Sequence, residues 1–119
     1  MSNSAMTLLV VDDLQIAKNF YVTVLEMTLL EETENGIKLA LGTHHILVFE
    51  GESLAVEYQH GVQANSNLVI EVANLDVKLA QLKHLNIPIL HTEPGENKWG
   101  RYSAFKDPSG IVHELIQYH

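Results

Sequence analysis

The first apolar run, Thr7 to Val11, is short and rich in Leu and Val, as expected of a buried strand. Asp12-Asp13 ends it. Either aspartate suits a helix N-cap, and Asp12 followed by Gln15 resembles a capping box. Leu14, Ala17, Phe20, Tyr21, Val24 and Leu25 then recur at helical spacing. They predict a helix with one apolar stripe that presents Lys18, Asn19 and Thr23 to water. Three strands are predicted next, at Thr28 to Thr33, Ile37 to Leu41 and His45 to Glu50. Asn35-Gly36 supplies one hairpin turn and Gly42-Thr43 the other. The first half of the chain therefore reads βαβββ.

The second half repeats that order. Asn67 to Val72 is strand-like, Asn74 is a cap, and Leu75, Leu79, Leu82 and Leu85 mark a helix that stops before Pro88. Further strands are predicted at Ile89 to Thr92, Gly100 to Phe105 and Ile111 to Gln117. An offset of 61 positions (69 − 8) pairs Leu8 with Val69, Leu9 with Ile70, Val11 with Val72, Asp13 with Asn74 and Leu14 with Leu75. Strand, cap and helix stay in one register, which points to an internal repeat. The expected organisation is a single domain of two modules, residues 6–56 and 67–117, joined by a polar linker at 57–66. Each helix covers one face of its sheet. Two modules side by side give an α+β fold: a curved, mixed eight-stranded sheet around a cleft, with the helices outside.

Composition narrows the partners. The 119 residues hold 15 acidic and 7 basic side chains, a net charge of −8, with no basic cluster to override it. Phosphate backbones and anionic lipid surfaces would repel such a chain, so nucleic acid and membrane are not expected as partners. The absence of cysteine excludes disulfides, thiolate zinc sites and a cysteine nucleophile. It also fits the reducing cytoplasm, and no secretory signal or membrane-length apolar run is evident. Met1 to Ala5 has the look of an appended remnant, with Met6 as the natural start.

The stretch VVDDLQIAKNFYVTVLEM, with Phe20, Tyr21 and Leu25 at its core, resembles the strand–helix opening of the vicinal oxygen chelate (VOC) superfamily. That superfamily includes glyoxalase I, bleomycin-resistance proteins, fosfomycin-resistance enzymes and extradiol dioxygenases. WGRYSAFKDPSGIVHELIQ resembles its C-terminal signature: a WG, a strand, the turn Asp107-Pro108-Ser109-Gly110 and a strand carrying Glu114-Leu115. Glu26 departs from the pattern, because the family usually has glycine after the helix leucine. The superfamily hosts lyases, transferases, oxygenases and proteins that only bind, so fold alone does not give function.

The resemblance places the family's metal ligands on the first and last strand of each module. Taken one at a time, these positions fall on Met6, Leu47, Asn67 and Glu114. Only Glu114 is a usual ligand, and neither leucine nor a thioether suits Mg, Mn, Zn or Fe(II). No cofactor is therefore favoured. Alternatively a divalent metal (Zn, Ni, Mn or Fe) is held by Glu114 with His45, which shares a strand face with Leu47 and Phe49. His113 is expected to point away from Glu114 as a structural residue; His44, His60, His84, His91 and His119 read as surface residues.

Alternation puts Asn67, Val69 and Glu71 on the cleft side, with Glu114, Met6, Leu8, Val10, Leu47 and Phe49. That surface suits a partly apolar, cationic small molecule. Trp99, the only tryptophan, is placed to stack on a ligand or to plug an edge. Tyr102 faces the cleft if Phe105 packs under the helix, and Arg101 is a candidate clamp for a carboxylate or phosphate. Three functions stay open: a metal-free binder of bleomycin-resistance type, expected as a homodimer; a metal-dependent lyase or dioxygenase in which Glu114 is catalytic; and a subunit that works through protein contacts.

Overall fold

The computed structural model of the protein describes residues 5–52 and 67–119. The chain divides into two compact units, Met1–Leu54 and Ala55–His119. The linker expected at 57–66 lies outside the described residues.

The first unit runs β1 (Thr7–Val11), α1 (Leu14–Lys18), a π-helical segment (Asn19–Val24), β2 (Thr28–Glu32), β3 (Gly36–Leu41) and β4 (His44–Glu50). Its four-stranded sheet has the order β1-β4-β3-β2, with β1 parallel to β4 and the other pairs antiparallel. Asp13, not Asp12, caps the helix: its carboxylate accepts the Ile16 N–H at 3.0 Å, while Glu50 accepts the Leu14 N–H at 2.9 Å. Two of the donors orphaned at a helix start are thus satisfied.

The helix predicted to reach Leu25 is α-helical only to Lys18. Beyond it the ladder widens to a five-residue step, with the Leu25 N–H on the Phe20 carbonyl at 3.0 Å. With that step Phe20, Tyr21 and Leu25 are all buried, whereas Val24 is only half-buried. The Phe20 and Tyr21 rings meet edge to face at 5.3 Å. Glu26 follows the helix at φ 60°, in the left-handed region. A side chain there is strained, because this backbone conformation favours glycine. Glu26→Gly is expected to raise stability by about 1 kcal/mol in urea unfolding. A lowered midpoint would show that the Glu26 side chain contributes more than its strain costs.

The second unit runs β5 (Val69–Glu71), α2 (Leu75–His84), β6 (Gly95–Glu96), β7 (Gly100–Lys106) and β8 (Val112–Tyr118). The sheet order is β5-β8-β7-β6, again with the first strand parallel to the last. Asn74 caps α2 by accepting the Val77 N–H at 3.1 Å. Leu75, Leu79 and Leu82 are buried, but Leu85 lies past the helix end and is exposed.

The strand predicted at Ile89 to Thr92 is not formed; only an isolated bridge joins Ile89 to Phe105, and the edge strand is Gly95–Glu96. The cause is local. Pro88 has no N–H to offer a ladder, and the His91 side chain takes a ladder position instead, its Nδ1 accepting the Ala104 N–H at 3.1 Å. In the turn after β7 the buried Asp107 carboxylate accepts the N–H groups of Ser109 at 2.9 Å and Ile111 at 2.8 Å, and Gly110 takes φ 88°.

The ladders confirm the repeat register. Leu8 lies opposite Leu47, and Val69 opposite Glu114, so Leu47 and Glu114 hold equivalent places in the two units. In each sheet one residue set is buried with the helix: Leu9, Val11, Ile46 and Val48 in the first unit, Ile70, Phe105, His113 and Leu115 in the second. Of the alternate set, Leu8, Val10, Val69 and Glu71 are exposed on the opposite, open face, while Ala104 and Ile116 on that face are buried. This is the facing that the alternation predicted. Among the described residues, no helix is long and apolar enough to cross a membrane.

Candidate functional site

The open face of the second sheet carries a pocket of about 300 Å³. Its floor follows from register. Val69 on β5 lies beside Glu114 on β8, and Ile116 on β8 beside Tyr102 on β7, all on alternate positions that share one face. The same alternation carries Tyr118 into the lining, and Trp99 and Asn97 complete the rim.

The rim is built by side-chain to backbone bonds. Asn97 Oδ1 accepts the N–H groups of both Trp99, at 2.9 Å, and Gly100, at 3.1 Å. The Trp99 carbonyl accepts the His119 N–H at 3.0 Å, and the Asn97 carbonyl accepts from His119 Nε2 at 3.1 Å. These bonds fix the turn while the indole stays 58% exposed. The Lys98 ammonium lies 4.8 Å from the indole centroid, a cation–π contact.

Of the site residues expected from sequence, Trp99, Tyr102 and Glu114 thus line one pocket. Asn67 and Glu71 are exposed in the same unit but outside that lining. Arg101 is corrected. Its guanidinium makes a bidentate pair with Asp76 of α2, both bonds at 3.1 Å, so it lies on the helix side and its fork is already filled. The hydrogen bonds from Arg101 hold the Asp76 carboxyl below its ordinary value. Asn97, Ile116 and Tyr118 were missed. Extending the strand by one residue beyond Gln117 would have found Tyr118, since it keeps step with Glu114.

In the first unit, Leu47 and Phe49 line a smaller pocket of about 170 Å³ with Gly36, Ile37, Lys38, Glu31 and Thr33. Met6 precedes β1 and is exposed, and His45 is half-buried opposite Ala40. Neither lines that pocket.

His113 points to the helix side, as expected. It is fully buried, its Nδ1 accepts the Leu68 N–H at 3.2 Å, and its ring lies 5.7 Å from Phe105. Burial lowers its pKa to about 4, so it is neutral at pH 7. His91 was expected at the surface but is half-buried and bonded to β7.

Residues 4–115 match the sequence profile of the Glyoxalase/Bleomycin resistance protein/Dioxygenase superfamily. The chain belongs to that superfamily. Among solved structures with this fold is FosX from Listeria monocytogenes, a fosfomycin resistance protein complexed with Mn(II) and sulfate: TM-score 0.79, 18% identity, 100% of this chain and 92% of that one. TnmS3, an antibiotic binding protein from Streptomyces sp. CB03234, gives 0.68 at 22% identity, covering 100% and 99%. A lactoylglutathione lyase from Agrobacterium tumefaciens gives 0.69 at 19%, covering 98% and 94%. No curated protein matches the sequence.

At the four positions where the resemblance places metal ligands, the donor set is poor for a divalent ion. Met6 and Leu47 give the first unit no oxygen or imidazole donor, and Asn67 and Glu114 give the second one amide and one carboxylate. Among the described residues, no group of three or more His, Cys, Asp or Glu is placed to hold a metal.

Proposed function

We propose that this superfamily member binds a small, partly apolar organic cation in the pocket of its second unit, without a conventional metal centre. The observation that carries this reading is the lining: the rings of Trp99, Tyr102 and Tyr118 gathered with the Glu114 carboxylate around about 300 Å³. Aromatic faces attract cations, the carboxylate supplies opposite charge, and Val69 and Ile116 supply apolar area. Lys98 already uses the indole in this way. The volume suits a ligand of about a dozen non-hydrogen atoms. A neighbour described as an antibiotic binding protein supports a binding role.

The other reading is a metal-dependent lyase or dioxygenase using Glu114 with His45. It is favoured by the FosX complex with Mn(II); Glu114 lies on β8 and His45 on β4.

A fluorescence titration tests the proposal, because Trp99 is the only tryptophan. Benzyltrimethylammonium is expected to change the emission saturably, and its neutral carbon isostere neopentylbenzene to bind more weakly. Glu114→Gln is expected to weaken the ammonium by about tenfold while leaving the isostere unchanged. Equal affinity for both probes, or stoichiometric Mn(II) uptake that Glu114→Ala abolishes, would contradict it.

A further inference from the structure

On each open face an aromatic ring lies against a glycine of the neighbouring strand. Gly95 stands directly opposite Tyr102 in the β6–β7 ladder, and Gly36 opposite Phe49 in the β3–β4 ladder. Directly opposed residues of an antiparallel pair point to the same face, so the ring occupies the place a side chain of the glycine would take. A Cβ at residue 95 would collide with Tyr102 Cζ and lie 2.6 Å from its hydroxyl oxygen and 2.8 Å from Cε2. A Cβ at residue 36 would lie 2.7 Å from Phe49 Cδ1 and Cε1. Real Cβ atoms essentially never come within 3.0 Å. Neither glycine has a positive φ, so the backbone conformation does not call for glycine at either place. The requirement is space.

Tyr102 is confined on other sides too. The His91 ring meets it edge to face at 5.8 Å, and its ladder partner on β8 is Ile116, a pocket residue. A ring pushed off Gly95 therefore moves over Ile116. We propose that Gly95 is a positioning and specificity-determining residue: by offering no Cβ, it lets Tyr102 lie against it as a wall and keeps the pocket deep enough for the apolar part of a cation. The proposal rests on the pocket being the ligand site. A methyl group at residue 95 lifts the ring into the pocket, which excludes large cations and still admits small ones.

The test has two arms. In NMR spectra of the free protein, the Tyr102 ring current is expected to shift the Gly95 Hα resonances upfield, and Tyr102→Leu to abolish that shift. In Gly95→Ala, Tyr102 ring NOEs to the Ile116 methyls are expected to strengthen. In titrations, Gly95→Ala is expected to bind tetramethylammonium as the wild type does and benzyltrimethylammonium about tenfold or more weakly, the order expected for overpacking a filled site. The double variant Gly95→Ala, Tyr102→Leu is expected to bind the larger cation no more weakly than Tyr102→Leu alone, a rescue of the Gly95→Ala loss that a merely structural role for Gly95 would not produce. An unshifted Gly95 Hα, or equal loss of both cations without rescue, would overturn the proposal. Failure of the wild type to bind either cation would instead sink the functional reading, and the NMR arm would decide the placement of the ring alone.

Discussion

Replacing Gly100 by alanine is expected to destabilise the protein by about 3 kcal/mol or more, a large share of a typical domain's stability. The added Cβ would fall on the carbonyl oxygen of Gln117 and lie 2.9 Å from both the Gln117 carbonyl carbon and Tyr118 Cα. These neighbours are backbone atoms of β8 and cannot rotate aside as a side chain can. Moving β8 there would disturb Gln117, whose side-chain oxygen accepts the Leu75 N–H at 2.7 Å where α2 begins, and Tyr118 in the pocket lining. The glycine of the Trp99-Gly100 pair is thus explained by the closeness of two strands. Urea unfolding checks it: a midpoint equal to that of the wild type would contradict this approach of β7 and β8.

Acid is expected to remove about 3 kcal/mol of stability between pH 6.5 and pH 4 through His113 alone. In the unfolded chain this imidazole titrates near 6.5, while in the fold burial lowers its pKa to about 4. Above pH 6.5 both states hold it neutral and the stability is complete. As the pH falls below 6.5 the unfolded state gains a proton that the folded state refuses. The loss grows at about 1.36 kcal/mol per pH unit and ends near pH 4, where the folded form also protonates. Protonation also costs Leu68 its acceptor, since Nδ1 would then carry a hydrogen. Urea midpoints measured across this range test the slope. His113→Gln, which keeps an acceptor and does not titrate, is expected to flatten it; an unchanged slope would place the effect elsewhere.

Much of the fold was legible in the sequence because its signals were local. Alternation separated Leu9 and Val11 from Leu8 and Val10, and Ile70 from Val69, and burial follows the same split. The 61-residue offset found the equivalence that the ladders show. Misses came where distant atoms decide the local structure. The π-helical segment depends on what Phe20, Tyr21 and Leu25 bury, and apolar periodicity near 3.6 does not reveal a five-residue step. The β6 segment was mislaid because the His91 side chain supplies a bond that a strand would otherwise make. Among the residues lining the pocket, Trp99, Tyr102 and Glu114 could be named from motif and alternation. The filling of Arg101 by Asp76 could not, because it depends on where α2 places a carboxylate across 25 residues of chain. Gly95 carried no signal of its own, being one glycine in an irregular stretch. Its importance lies in the ring above it.

The most direct measurement of the central claim is a set of amide and indole N–H chemical shifts from labelled protein as benzyltrimethylammonium is added. Saturable shifts concentrated at the Trp99 indole and at Val69, Tyr102, Glu114, Ile116 and Tyr118 are the predicted result. Saturable shifts that leave those six residues unmoved, or no saturable shift at all, would contradict it.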